Sequence, residues 1–140
     1  MEAAMFDTII VPIDLSQAEV APQMIKLAKA LSKPGAKLIL CNVLWNIPEY
    51  VAIELPENLG KEARAKAEAK LSAIATQSGI SADIVVASGQ PANEIIRLAE
   101  KRNAGLIIVA SHKPGLQDFF IGSTASRIVS HAKCNVHVMR

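Results

Sequence analysis

In the run ASHKPGLQDFFIGSTA, Ala110 to Ala125, a Ser-His pair, a Lys-Pro break and a Gly-Ser-Thr step separate an apolar strand-like stretch from a helix-like one. Gly122, Ser123 and Thr124 stand where that helix would begin. A helix N-terminus offers unpaired backbone N–H groups and a partial positive charge, and residues this small let an anion come close. The chemistry to expect there is phosphate binding. Lys113 would add a cation in the same connection, although a lysine in a loop is usually just solvated. Asp14, in the stretch VPIDLS, could accept hydrogen bonds from a ribose hydroxyl or an adenine amino group, and with Leu15 and Ser16 it could equally cap a helix. His112 has neither carboxylate nor nucleophile at motif spacing, which argues against a catalytic role.

The elements that would position these residues alternate regularly. FDTIIVPI (Phe6 to Ile13), AKLILCNVL (Ala36 to Leu44), ADIVVAS (Ala82 to Ser88), GLIIVAS (Gly105 to Ser111) and NVHVM (Asn135 to Met139) are short, and rich in β-branched residues. Several are almost continuously apolar, as strands covered on both faces must be. Between them lie helical periods. Ala21, Met24, Ile25, Ala28 and Leu31 mark the first, ending before Pro34-Gly35. A second spans Pro56 to Ser78, with Glu62/Lys66 and Arg64/Glu68 as expected i,i+4 pairs on its wet side and Gly79 as its C-cap. Ala92, Ile95, Ile96 and Ala99 follow Pro91, and Ala125, Ile128, Val129 and Ala132 follow Gly122-Ser123. This alternation predicts one α/β domain over residues 1–140, with an open parallel five-stranded sheet and helices on both faces. Ligands of such sheets sit beyond the carboxyl ends of the strands. That directs attention to Pro12 to Ser16, Val43 to Trp45, Ser88 to Gln90 and Ala110 to Lys113.

Composition excludes several classes. At 140 residues, 51% of them hydrophobic, the chain can bury a core without disulfides or metals. Its net charge of +2 is too small to argue for a nucleic-acid or membrane surface. No apolar segment reaches the ~18 residues of a membrane span, and the N-terminal sequence lacks the charged and apolar regions of a secretory signal. The expectation is a cytoplasmic protein. Cys41 and Cys134 lack a CxxC spacing and lie in strand-like runs, which predicts buried free thiols.

From Met5 to Arg140 the chain resembles the universal stress protein family. TIIVPIDLS looks like that family's first strand and acidic turn, GQPANEIIRLAEKRNAGLIIVASH its third-helix and fourth-strand block, and IGSTASRIVSHAKCNVHVMR its closing helix and strand. The ASHKP step and shortened loop are similar to the family's F subgroup. The resemblance implies the strand order 3-2-1-4-5 of the adenine nucleotide alpha hydrolase-like fold, a homodimer through the last strand, and ATP as ligand, with or without Mg²⁺. Carried over by position, Pro12, Ile13 and Asp14 would contact adenine and ribose, and Val43 would lie against the base. Val109 and Ala110 would lie near the ribose. Ser111, His112 and Lys113 would follow in the phosphate loop, and Gly122, Ser123 and Thr124 would present N–H and hydroxyl groups to phosphates.

The family's loop reads G-x2-G-x9-G-S/T, and this chain departs from it. Ala110 and Lys113 replace the first two glycines, and eight residues rather than nine separate Lys113 from Gly122. Alanine adds only a methyl group. Lysine brings a cation within possible reach of the outer phosphates. A branched residue at Gly122 is expected to abolish nucleotide binding by occupying the phosphate approach, leaving the fold intact.

Catalysis has less support. The chain lacks G-x-x-x-x-G-K-[ST] and any paired carboxylates at a metal-binding spacing; Asp118 is a lone candidate for Mg²⁺. An ATP-binding dimeric stress or regulatory module is therefore expected, with no catalytic residue. The alternatives are a nucleotide-independent interaction protein docking through LWNIPEYVAIELPENLG, which carries Trp45 and Tyr50, and a slow ATPase. The protein partner is unspecified.

Overall fold

The computed structural model describes residues 6–44, 58–111 and 122–140. Trp45, Tyr50, His112, Lys113 and Asp118 lie outside the described residues.

Five parallel strands form one sheet in the order β3-β2-β1-β4-β5, as expected. They are β1 (Phe6–Pro12), β2 (Ser32–Leu44), β3 (Ala82–Ser88), β4 (Leu106–Ala110) and β5 (Asn135–Met139). The central strands are apolar on both faces. Ile9, Ile10 and Val11 of β1 and Ile107 and Ile108 of β4 are fully buried. Among the described residues four α-helices connect them: α1 (Ala21–Leu31), α2 (Asn58–Gln77), α3 (Pro91–Lys101) and α4 (Ser123–His131).

The sheet divides the core in two. On one face Ile9, Val11, Leu38 and Leu40 pack with Met24, Ile25 and Ala28 of α1 and with Ala67, Leu71 and Ala75 of α2. That α2 stripe has four-residue spacing, and its alanines let the helix lie close to the strands. On the other face Ile10, Ile39, Cys41 and Ile107 meet Ala92, Ile95 and Ala99 of α3 and Ala125 and Ile128 of α4.

Gly79 ends α2 as the sequence suggests, at φ +69°, with Gly79 N–H donating to Thr76 O and Ile80 N–H to Ala75 O. That pair of bonds satisfies two terminal carbonyls and needs the left-handed residue glycine supplies.

Several local expectations are corrected. β2 begins at Ser32, not Ala36: Ser32 pairs with Phe6 before the register shifts, and the ladder resumes at Thr8 opposite Lys37. A kinked 3₁₀ stretch, Leu15–Val20, precedes α1, its backbone non-helical at Gln17. Arg64, expected to pair with Glu68 along the helix, instead donates to Val86 O and to Ser88 Oγ on β3. Its long side chain reaches across to edge strand β3, and an exposed i,i+4 ion pair is worth too little to hold it on the helix surface. Cys41 is buried, but Cys134 is only half-buried and precedes β5 by one residue.

Candidate functional site

The chain runs from β1 outward to β2 and β3, then crosses back to β4 on the other side of β1. The strand order therefore reverses between β1 and β4, and the helices that follow them, α1 and α4, pack on opposite faces of the sheet. Diverging connections leave a crevice. A cleft of about 500 Å³ opens there. It is bounded by the ends of β1, β2 and β4 and by the first turns of α1, α3 and α4.

Ten of the residues proposed from sequence line this cleft: Pro12, Ile13, Asp14, Val43, Val109, Ala110, Ser111, Gly122, Ser123 and Thr124. The other two, His112 and Lys113, fall outside the described residues. Gln17, Val20, Met24, Cys41, Asn42, Pro91, Ile95 and Ala125 also line it and were not singled out. Met24 and Ile95 occupy the apolar stripes of α1 and α3, so their periodicity reads as core packing. Asn42 carried a usable signal, as the one polar residue in LILCNVL.

At the β1 side, Asp14 does cap the following turn. Its Oδ1 accepts from Ser16 N–H at 2.9 Å and Ser16 Oγ at 2.6 Å, and Oδ2 is 3.4 Å from Gln17 Nε2. The carboxylate is nonetheless exposed on the cleft wall. Carboxylate oxygens have more lone pairs than these bonds use, so capping and ligand contact are compatible.

At the β1–β2 seam, Ile13 N–H donates to Cys41 O at 2.8 Å, and Asn42 Nδ2 donates to Ile13 O at 2.8 Å. These bonds extend the β1–β2 pairing one residue past the strand and fix the wall from which Asp14 projects. Cys41 is no nucleophile: burial pushes its thiol up to about 12, leaving it protonated at neutral pH.

On the far side, Ser111 is buried, its N–H donating to Met139 O at 2.8 Å and its carbonyl accepting from Gly122 N–H at 2.5 Å. The start of α4 is thus tied to the end of β4. Gly122 is the N-cap of α4 and makes no side-chain cap bond. The first helical bond there is Ser126 N–H to Gly122 O. The N–H groups of Ser123, Thr124 and Ala125 therefore precede the first intrahelical donor, and these residues line the cleft at the positive end of the helix.

Gly122 has extended backbone, φ −59° and ψ 158°, open to any residue. Space is what demands glycine: a Cβ here would lie 2.6 Å from the Ser111 carbonyl oxygen. The expectation that a branched residue would act only by filling the phosphate approach is corrected, because it would first force the start of α4 away from Ser111. Among the described residues, no group of three or more His, Cys, Asp or Glu side chains could hold a metal ion. Nor, among them, is any helix long and apolar enough to cross a membrane.

Residues 5–140 match the universal stress protein family. A universal stress protein of Methanocaldococcus jannaschii is 30% identical over 141 residues, which cover 97% of this chain and 83% of that one. The solved structure of UspA from Lactobacillus plantarum aligns with a TM-score of 0.69 at 25% identity, covering 98% of this chain and 99% of that chain. A universal stress protein in complex with cAMP aligns at 0.65, with 18% identity and 98% of each chain covered. The universal stress protein from Archaeoglobus fulgidus in complex with dAMP aligns at 0.64, with 16% identity, 95% of this chain and 97% of that chain covered. The last two likenesses concern the fold. Strand order, cleft and family match agree, and the chain belongs to the universal stress protein family.

Proposed function

We propose that this protein binds ATP in the cleft between β1, β2 and β4 and works as a dimeric, nucleotide-dependent regulatory module rather than as an enzyme. The observation that carries this reading is the convergence of Asp14, Val43, Ala110 and the first turn of α4 on one cleft at the strand-order reversal. Its volume of about 500 Å³ lies within the range of small-molecule sites, roughly 300–1,000 Å³. Two solved proteins of the same fold hold the adenine nucleotides cAMP and dAMP, which supports the same ligand class here.

The orientation follows from charge. Phosphates belong at the α4 N-terminus, where Ser123 and Thr124 add hydroxyl groups to the free N–H donors. The base then extends to the opposite end of the cleft, near Ile13, Asn42 and Val43, with the ribose hydroxyls within reach of Asp14. Lys113 would meet the outer phosphates, and Mg²⁺, if bound, would rest mainly on phosphate oxygens and water. Among the described residues the cleft's thiol, Cys41, is held protonated, which removes it as a nucleophile and fits binding better than turnover.

Dimerisation is proposed through β5. That strand forms the sheet edge beyond β4, and Val129 on neighbouring α4 is 48% exposed. An uncovered edge with apolar surface beside it favours pairing with a second copy.

Isothermal titration with ATP, ADP and AMP, with and without Mg²⁺, tests the reading on a sample sized by sedimentation. The expected result is one ATP per chain, little ADP formed, and a mass near twice 14.9 kDa. ATP at about 100 times its Kd should then add about 2.7 kcal/mol to stability. Absence of heat and of thermal stabilisation would overturn the nucleotide assignment; a mass of one chain would overturn the dimer.

A further inference from the structure

Asn42 stands in a position where the fold favours an apolar side chain. Leu38, Leu40 and Asn42 share one face of β2; Leu38 and Leu40 are buried against α1 and α2, whereas Asn42 is half-buried at the cleft. A polar amide taken out of water is costly unless its hydrogen bonds are met. One is met, by Nδ2 donating to Ile13 O at 2.8 Å. A carbonyl oxygen can only accept, so this bond fixes which end of the amide is which. The NH₂ group faces Ile13, and Oδ1 faces away from it. Among the described residues no donor meets Oδ1, and Asn42 lines the cleft.

Resting on the nucleotide reading above, we infer that Asn42 is a specificity-determining residue that selects 6-aminopurines over 6-oxopurines. With phosphates at the α4 N-terminus, the base reaches the β1–β2 seam, where Asn42 Oδ1 is a fixed acceptor. The exocyclic amino group of adenine is a donor and satisfies it. The oxygen that replaces it in hypoxanthine or guanine is a second acceptor and faces Oδ1 with like partial charge. An amide side chain free to rotate about its last bond could present NH₂ instead and accept either base. The Ile13 bond removes that freedom, since turning the amide would set two acceptors against each other. Carboxamides elsewhere recognise adenine through the same amino group. Sites that leave a polar group unpaired against the wrong substrate discriminate more strongly than apolar pockets do.

The test compares ATP with ITP, which carries the same ribose and phosphates, in titrations of the wild-type chain and of Asn42→Ala. Wild type should prefer ATP by about tenfold or more. In Asn42→Ala the preference should shrink to near unity, mainly through weaker ATP binding. Loss of the Ile13 bond alone would weaken both nucleotides together and keep their ratio, and that outcome overturns the proposal. Equal affinity of the wild type for ATP and ITP overturns it without any variant, and leaves nucleotide binding itself standing. Binding of neither nucleotide by wild type overturns the underlying function as well. Should Asn42→Ala fail to fold, Asn42→Ser serves, and the wild-type ratio still decides.

Discussion

The two ends of the sheet are built to different rules. At the amino ends of the strands, charges and turns are paired off within the protein. Asp7 meets Lys33 at 3.6 Å, Asp83 meets Arg102 at 2.9 Å and Lys37 at 3.8 Å, and Glu100 meets Lys133 at 3.5 Å. The turn after α3 closes on itself, with Asn103 at φ 52° and Ala104 N–H donating to Ala99 O. At the carboxyl ends, the first-turn N–H groups of α4, the Asp14 carboxylate and Asn42 Oδ1 open onto a cleft. The Asp14 carboxylate keeps lone pairs beyond its capping bonds, and no donor among the described residues meets Asn42 Oδ1, so both can serve a ligand together with the α4 N–H groups. The fold thus separates the end that is closed from the end that recognises, and substitutions at each should fail in different ways.

The largest effect is expected at Gly122, where the two roles meet. Any side chain there would bring Cβ to 2.6 Å from the Ser111 carbonyl, which is backbone and cannot swing aside. Gly122→Val should lower stability by about 1–3 kcal/mol and remove detectable ATP binding together. Thermal melts and titration of the same sample check this. Lost binding at unchanged stability would restore simple obstruction of the phosphate approach and remove the steric role of the Ser111 contact.

A smaller effect is expected at Arg64, which serves a carboxyl end lying outside the cleft. Its guanidinium caps carbonyl and hydroxyl groups of edge strand β3. Arg64→Ala should cost about 1 kcal/mol, with ATP affinity unchanged. A clear drop in affinity would mean that the β3 end belongs to the recognising region, and the comparison would have to be redrawn around a wider site.

How far the sequence discloses these regions depends on which signal each residue carries. β3 and β5 lie where their apolar runs begin and end, because nothing but strand pairing suits such short β-branched stretches. The sequence places the start of β2 too late because Pro34-Gly35 is turn chemistry, and only the pairing of Ser32 with Phe6 makes a strand of what precedes it. In the cleft, topology alone points to Pro12 to Asp14, Val43, Ala110 and Ser111, which line it, and to Ser88 to Gln90, which do not, while Val109 follows from the family resemblance. Met24 and Ile95 were not legible, because residues near a helix start can belong to both core and cleft while their spacing announces only core. Arg64 misled for a related reason: i,i+4 spacing describes the helix surface, but a long side chain answers to whatever lies within reach.

The smallest expected effect tests the closed end. The hydrogen bond from Arg102, with help from the charges of Arg102 and Lys37, holds the Asp83 carboxyl below the ordinary carboxylate range. A depressed folded-state pKa means that the unfolded chain takes up the proton first as pH falls. The contribution of the pair is therefore fully present above the unfolded value near 3.9 and disappears as pH drops through the folded one. Asp83 keeps 42% of its side chain exposed, so solvent screening limits that contribution to about 1 kcal/mol or less. Asp83→Asn should accordingly lower Tm at pH 7 by no more than about 4 °C, and the gap from wild type should close on acidification below about pH 4. ATP affinity at pH 7 should be unchanged, since Asp83 sits at the opposite end of the sheet from the cleft. A gap that widened with acid would give Asp83 the wrong sign for a paired carboxylate, and an altered affinity would couple the two ends that the structure keeps apart.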